Sequence, residues 1–170
     1  KYKDMALYFN QNYNIQGSSD LNLYKLFLEK TYGVSDIIAL LIPGQITVDQ
    51  GGKLFREKFF EDKSIVTVIG FSNKDGLFSA VDNNQKFAFI LLNHTNSNKK
   101  IKTLGWIPRF DDIKNIGLIE VDQNFFENFD ENKTIFLDTG KNLGILSKIN
   151  SNDNFLSLSR KKKIWTNHRY

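Results

Sequence analysis

Apolar residues recur at helical spacing at the start of the chain. Met5, Ala6, Phe9 and Tyr13 predict a short helix over residues 3–11. Residues 17–20 (GSSD) form a polar break with oxygens suited to an N-cap. A second helix is predicted over residues 21–31, with Leu23, Tyr24, Phe27 and Leu28 as its buried stripe and Gly33 as its stop. Residues 35–42 (SDIIALLI) are almost all apolar and halt at Pro43-Gly44. That run is too short for a buried helix and predicts a strand covered on both faces.

Thr47-Val-Asp-Gln50 has the spacing of a capping box, and Asp49 would add negative charge to a first helical turn. A helix is therefore expected from Thr47 to about Asp62, with Leu54, Phe55, Phe59 and Phe60 available to the core. Residues 64–71 (SIVTVIGF) are β-branched and strand-like. A long polar loop over residues 72–85 leads to another apolar strand at residues 86–92 (KFAFILL). Beyond His94 the apolar pieces shorten to residues 104–107, 117–121, 134–137 and 143–149, separated by Asn, Asp and Gly. The expected division is residues 1–97 as one unit and residues 98–170 as a small mixed connector, without internal repeats.

This order constrains topology. A helix between residues 35–42 and 64–70 makes those two strands parallel, with a right-handed crossover. The strand at residues 86–92 returns without a helix and should run antiparallel to its predecessor. The fold class is α/β. Two loops, residues 43–47 and 72–85, then leave the carboxyl ends of the parallel strands. In open α/β sheets ligands bind at that edge. Gln45, Thr47, Asn73, Lys74 and Phe78 are the expected neighbours of any site there.

Composition narrows the classes. A chain of 170 residues with 41% hydrophobic residues is one domain, or one domain with an appendage, and can bury a core. The absence of cysteine removes disulfides and thiolate metal sites and fits a reducing, cytoplasmic compartment. His94 and His168 are the only histidines, so no metal site is expected. No apolar run reaches the ~20 residues needed to span a bilayer, so no membrane partner is expected. Lys1-Tyr2-Lys3-Asp4 lacks the apolar stretch of a signal peptide, and the missing initiator Met fits a start within a larger protein. The net charge of +4 is compatible with nucleic acid without pointing to it.

Two short motifs fail on their spacing. Gly51-Gly52-Lys53 is not a phosphate loop, because Thr47 stands where that motif has its first Gly and Leu54 follows the lysine. Glu61-Asp62-Lys63 sits at a helix end rather than in a strand after a suitable Asp, which argues against a nuclease site. The basic runs Lys99, Lys100, Lys102 and Arg160, Lys161, Lys162 offer phosphate contacts or solvated linker charge.

Asn22-Leu-Tyr24 with Phe27-Leu-Glu29-Lys30, Ile42-Pro43 with Gln45 and Thr47-Val-Asp-Gln-Gly51, and Gly76-Leu-Phe78-Ser-Ala-Val81 with Lys86-Phe87 occur in a distinctive order. In that order they resemble the later part of the catalytic domain of adenine-specific DNA methyltransferases. The similarity is greatest to type IIG restriction–modification polypeptides and related phage-defence methylases. It is good over residues 21–94 and looser over residues 125–149, which resemble the connector to a target-recognition domain. It implies a partial Rossmann-like methyltransferase sheet with flanking helices. It also implies that Phe78 stacks on an extruded adenine, since an aromatic face is what a flipped base needs. DNA, an upstream methyltransferase half and a downstream target-recognition domain are the implied partners, and S-adenosylmethionine is the implied cofactor of the parent enzyme.

The departures are as informative. The family's Gly-rich cofactor loop and its Asn/Asp-Pro-Pro-Tyr/Phe tetrapeptide do not occur, and Pro43 and Pro108 are the only prolines. No catalytic residue is therefore expected within the chain, and no cofactor is expected to bind it alone. The alternative is a non-catalytic α/β module that binds DNA or a partner subunit.

Overall fold

The protein is described by a computed structural model covering residues 2–16, 21–95, 97–127, 129–135, 137, 138, 140, 142 and 145. Helices α1 (Tyr2–Asn12) and α2 (Leu23–Tyr32) precede strand β1 (Ile37–Pro43). Helix α3 (Lys53–Glu61) leads to β2 (Ile65–Ser72), and β3 (Lys86–Asn93) and β4 (Lys100–Ile107) follow. A short α4 (Asp112–Ile116), β5 (Ile119–Asp122) and α5 (Gln123–Glu127) come last. The strands form one mixed sheet in the order β1-β3-β2-β4-β5.

β3 is antiparallel to both β1 and β2, so those two strands point the same way with β3 between them. The crossover through α3 explains the common direction, and the absence of a helix before β3 explains its reversal. β4 lies parallel to β2, and β5 is antiparallel to β4. The sheet thus runs across the division expected at residue 97.

Alternation along β3 separates two faces. Ala88, Ile90 and Leu92 join a large core with Leu28, Ile38, Ile42, Phe55, Phe59, Phe60 and Val68. Phe87 and Phe89 lean the other way, onto a small core of Ile69, Phe71, Leu104 and Ile107.

Three expectations need correction. The α2 stripe is rotated: Leu26 and Leu28 are buried, whereas Leu23 is 82% and Phe27 60% exposed. Apolar residues occupy both sides of this helix, so periodicity did not decide which side faces the sheet. β1 is not covered on both faces. Ile38 and Ile42 are buried, but Ile37 is 63% and Leu41 44% exposed. β1 is a sheet edge, and among the described residues nothing packs over that outer face. Finally, residues 44–52 make two short 3-10 turns, and α3 starts at Lys53 without a side-chain cap. The capping box does not form, and Leu54 is exposed.

The last correction has a local cause. Gly51 and Gly52 weaken helix propagation. The Thr47 hydroxyl donates to the Gly44 carbonyl at 2.8 Å instead of capping α3. Fully buried Arg56 gathers the neighbouring carbonyls, with Nη1 on Ile46 at 2.7 Å and Nη2 on Asp49 at 2.9 Å. Its Nε and Nη2 also reach the Asn132 carbonyl, at 3.0 and 2.8 Å. One guanidinium therefore ties the turn after β1 to the segment near residue 132. Burial pulls Arg56 down to about 10, against the pull of Asp130, Asp49 and Glu57, so it stays charged at neutral pH.

Candidate functional site

The common direction of β1 and β2 brings the turn after Pro43 and the loop after Ser72 to one end of the sheet. β4 ends there too, so the segment from Pro108 to Leu118 is a third contributor. The sequence pattern does not point to that segment, because the short apolar pieces after residue 97 read as a separate connector.

The loop after β2 is built around Asn73. This residue is fully buried, and its Oδ1 accepts the Phe78 backbone N–H at 2.8 Å. Its Nδ2 donates to the carbonyls of Phe78, Val81 and Asp82 at 3.1, 2.9 and 3.1 Å. One side chain thus replaces the secondary structure that residues 76–82 lack. A left-handed Gly76 (φ 68) closes the first turn of the loop, where a residue without a Cβ is least strained. Asn73 is one of the expected neighbours of a site at this edge, and its side-chain amide is committed to the loop.

Phe78 emerges from this frame half-buried. Its ring meets Phe87 edge-on, with centroids 4.7 Å apart and planes at 66°. It also stands at 88° to Phe110, 6.4 Å away. Phe110 in turn rests on Phe71 at 5.2 Å. Four aromatic rings from β2, β3 and two loops therefore converge on the small-core side of the edge. Phe110 is the most exposed of them, at 53%.

Gln45 and Thr47 leave the same end of the sheet on the other side. Their neighbour Ile46 belongs to the large core. Gln45 is exposed, whereas Thr47 is fully buried and its carbonyl accepts the Ile135 N–H at 2.9 Å. Trp106 lies across this side. A Cβ on Gly44 or Gly70 would come within 2.8 Å of its ring. Lys86 Nζ sits 4.8 Å from the Trp106 ring centroid, a cation–π distance. Topology thus brings Gln45, Thr47 and Phe78 to one edge but on opposite faces of it.

Charges around the aromatic cluster are mixed. Lys74 is exposed at the loop start. Arg109 Nε pairs with Asp75 at 3.1 Å, linking the Phe78 and Phe110 loops. That pair is solvent-exposed and contributes little to stability. Lys99, Lys100 and Lys102 lie at the opposite end of the sheet, where β4 begins. Strand rise of ~3.3 Å per residue puts Lys100 on the order of 20 Å from Ile107. Lys100 pairs with Glu120 at 3.4 Å across the β4–β5 ladder. The candidates Arg160, Lys161 and Lys162 lie outside the described residues.

A separate open cleft of about 540 Å³ lies between α1 and the end of α2, lined by Tyr8, Tyr13, Glu29 and Tyr32 among others. Glu29 is occupied there by the backbone N–H groups of Asn14 and Ile15. Among the described residues, no group of three or more His, Cys, Asp or Glu side chains could hold a metal ion. No helix among them is long and apolar enough to cross a membrane. No family model matches the chain, and no curated protein matches it.

Proposed function

We propose that this chain is the target-base side of an adenine-specific DNA methyltransferase of the fused restriction–modification or phage-defence kind. The observation that carries this reading is the placement of Phe78. An aromatic ring is held half out of a polar loop, by a buried Asn73, at the carboxyl edge of the β1–α3–β2 crossover. An adenine drawn out of a duplex needs such a face, worth roughly 1–3 kcal/mol for a base on an aromatic ring. The partial Rossmann-like arrangement belongs to the same reading, with β1 and β2 as later strands and β3 as the return strand.

The bare flank of the molecule is a second support. β1 is a fully apolar edge strand, with its own Ile37 and Leu41 exposed and Leu23 and Phe27 exposed on α2. Natural edge strands are usually shortened, charged or covered. β5 follows that rule, being short and carrying Glu120 and Asp122. β1 does not, which suits a strand prepared to receive the upstream half of a larger sheet. A downstream target-recognition domain and a cytoplasmic setting belong to the same reading.

The residues present do not fit S-adenosylmethionine. At the turn after β1 the Trp106 ring lies over Gly44, so close that a Cβ there would come within 2.8 Å of it. The glycines of the β1-to-α3 loop, Gly44, Gly51 and Gly52, do not have the G-x-G spacing of a cofactor-binding loop. No step of methyl transfer is therefore assigned to this chain; its part is to receive the base. Two titrations test this. Calorimetry with S-adenosylmethionine should show no tight binding by these 170 residues, and tight binding would refute the division of labour. A labelled single strand carrying one adenine should bind more tightly than the same strand with an abasic site, and equal binding would refute the base-receiving role.

A further inference from the structure

We infer that Phe110 is a second aromatic contact for the same planar ligand, so that the site is a two-walled corner rather than a single stacking face. The inference rests on the reading of Phe78 given above and extends it to a loop outside that resemblance. Phe110 lies in the turn between β4 and α4 and is more than half exposed. An exposed Phe in a polar turn (Pro108-Arg-Phe-Asp-Asp112) usually has no fixed position. This one is fixed by two ring contacts, Phe71 at 5.2 Å and Phe78 at 6.4 Å. The Phe71 contact is deep in the sheet, because Phe71 is itself buried.

The angle between the rings matters. Phe78 and Phe110 stand at 88°, close to perpendicular. A flat ring lying against one of them presents its edge to the face of the other. Those are the two favoured geometries of aromatic pairs, stacked and edge-to-face. An aliphatic ligand gains only area in such a corner, whereas a nucleobase gains both contacts. The Asp75–Arg109 pair joins the two loops beside the corner, and Lys74 stands at the start of one of them, where a strand's phosphate can be neutralised.

The experiment uses the full 170-residue chain and two labelled 12-nucleotide single strands, one with a central adenine and one with an abasic site there. The quantity read is the ratio of the two affinities. Phe110→Ala should lower that ratio about fivefold or more, while Phe110→Tyr, which keeps the ring, should preserve it. Unchanged circular dichroism and thermal midpoint are expected, because Phe110 is exposed. Loss of the ratio in both Phe78→Ala and Phe110→Ala supports the corner. Loss in Phe78→Ala alone overturns the second wall and leaves the base-receiving role standing. Loss in Phe110→Ala alone overturns the corner, because Phe78 then makes no contact with the base. No preference for adenine in the unaltered chain overturns both.

Discussion

Replacing Asn73 with Ala should release the Phe78 loop while leaving the sheet in place. Three hydrogens are at stake: the two on Nδ2, shared among the carbonyls of Phe78, Val81 and Asp82, and the Phe78 N–H held by Oδ1. At about 1 kcal/mol net for each bond, the upper limit is about 3 kcal/mol. Residues 79–82 are exposed, so their carbonyls can turn to water once the amide is gone. That recovers part of the loss and leaves about 1–2 kcal/mol, or a five- to thirtyfold rise in the open loop. Hydrogen exchange reads this directly. The Phe78 amide should exchange about five- to thirtyfold faster in Asn73→Ala, with Ile69 and Ile90 amides nearly unchanged. Asn73→Asp keeps the acceptor for Phe78 N–H but sets a carboxylate against the three carbonyls, so it should be no better than Ala. If the Phe78 amide exchanges at the unaltered rate in Asn73→Ala, Asn73 does not hold the loop. If the whole sheet opens, Asn73 belongs to the core instead.

Glycine substitutions should separate tight from open positions. In Gly52→Ala the new methyl would lie 2.8 Å from Arg56 Nη1 and from the Ile46 carbonyl, which should lower unfolding free energy by roughly 1–3 kcal/mol in a denaturant titration. Gly33→Ala meets only carbonyls at 3.8 Å and has ordinary helical φ, so its stability should be unchanged or slightly raised. Asp62 gives a pH test. Burial would raise its carboxyl, but hydrogen bonds from Tyr32 and Lys58 outweigh it and hold the group below its ordinary value of 3.8. A lowered folded value means the stabilisation is present above pH 3.8 and is lost as pH falls through the folded value. The stability difference between the unaltered chain and Asp62→Asn should therefore shrink below about pH 4. Ile37→Lys with Leu41→Lys should reduce concentration-dependent association in sedimentation and leave the thermal midpoint nearly unchanged, since both side chains reach solvent.

The strands that carry the edge were legible because their signals are local. Residues 37–42, 65–71 and 87–92 are predominantly apolar, the first two runs rich in β-branched side chains, and the presence or absence of a connecting helix sets their directions. What was not legible depends on distant partners. Leu23 and Phe27 are as apolar as Leu26 and Leu28, and only the position of β1 decides which pair is covered. The late start of α3 has local causes in Gly51 and Gly52, but the Arg56 that gathers the carbonyls of that turn is itself held by those of Asn132 and Lys133, more than seventy positions away. A signal for this was available: Arg56 sits between Phe55 and Phe59 on the apolar side of the helix, where a charge needs buried partners. β4 belongs to the sheet although its apolar core, residues 104–107, is short, because it pairs along β2 from Thr67 to Phe71. Missing that pairing hid Phe110 and Trp106 from the candidate site.

The most direct test of the base-receiving role compares Phe78→Ala with the unaltered chain on the adenine and abasic strands. Stacking worth roughly 1–3 kcal/mol corresponds to an adenine preference of about five- to 150-fold, most of which should vanish in Phe78→Ala with the fold intact by circular dichroism. A variant that folds and keeps the full preference would contradict the assignment of Phe78 to the base.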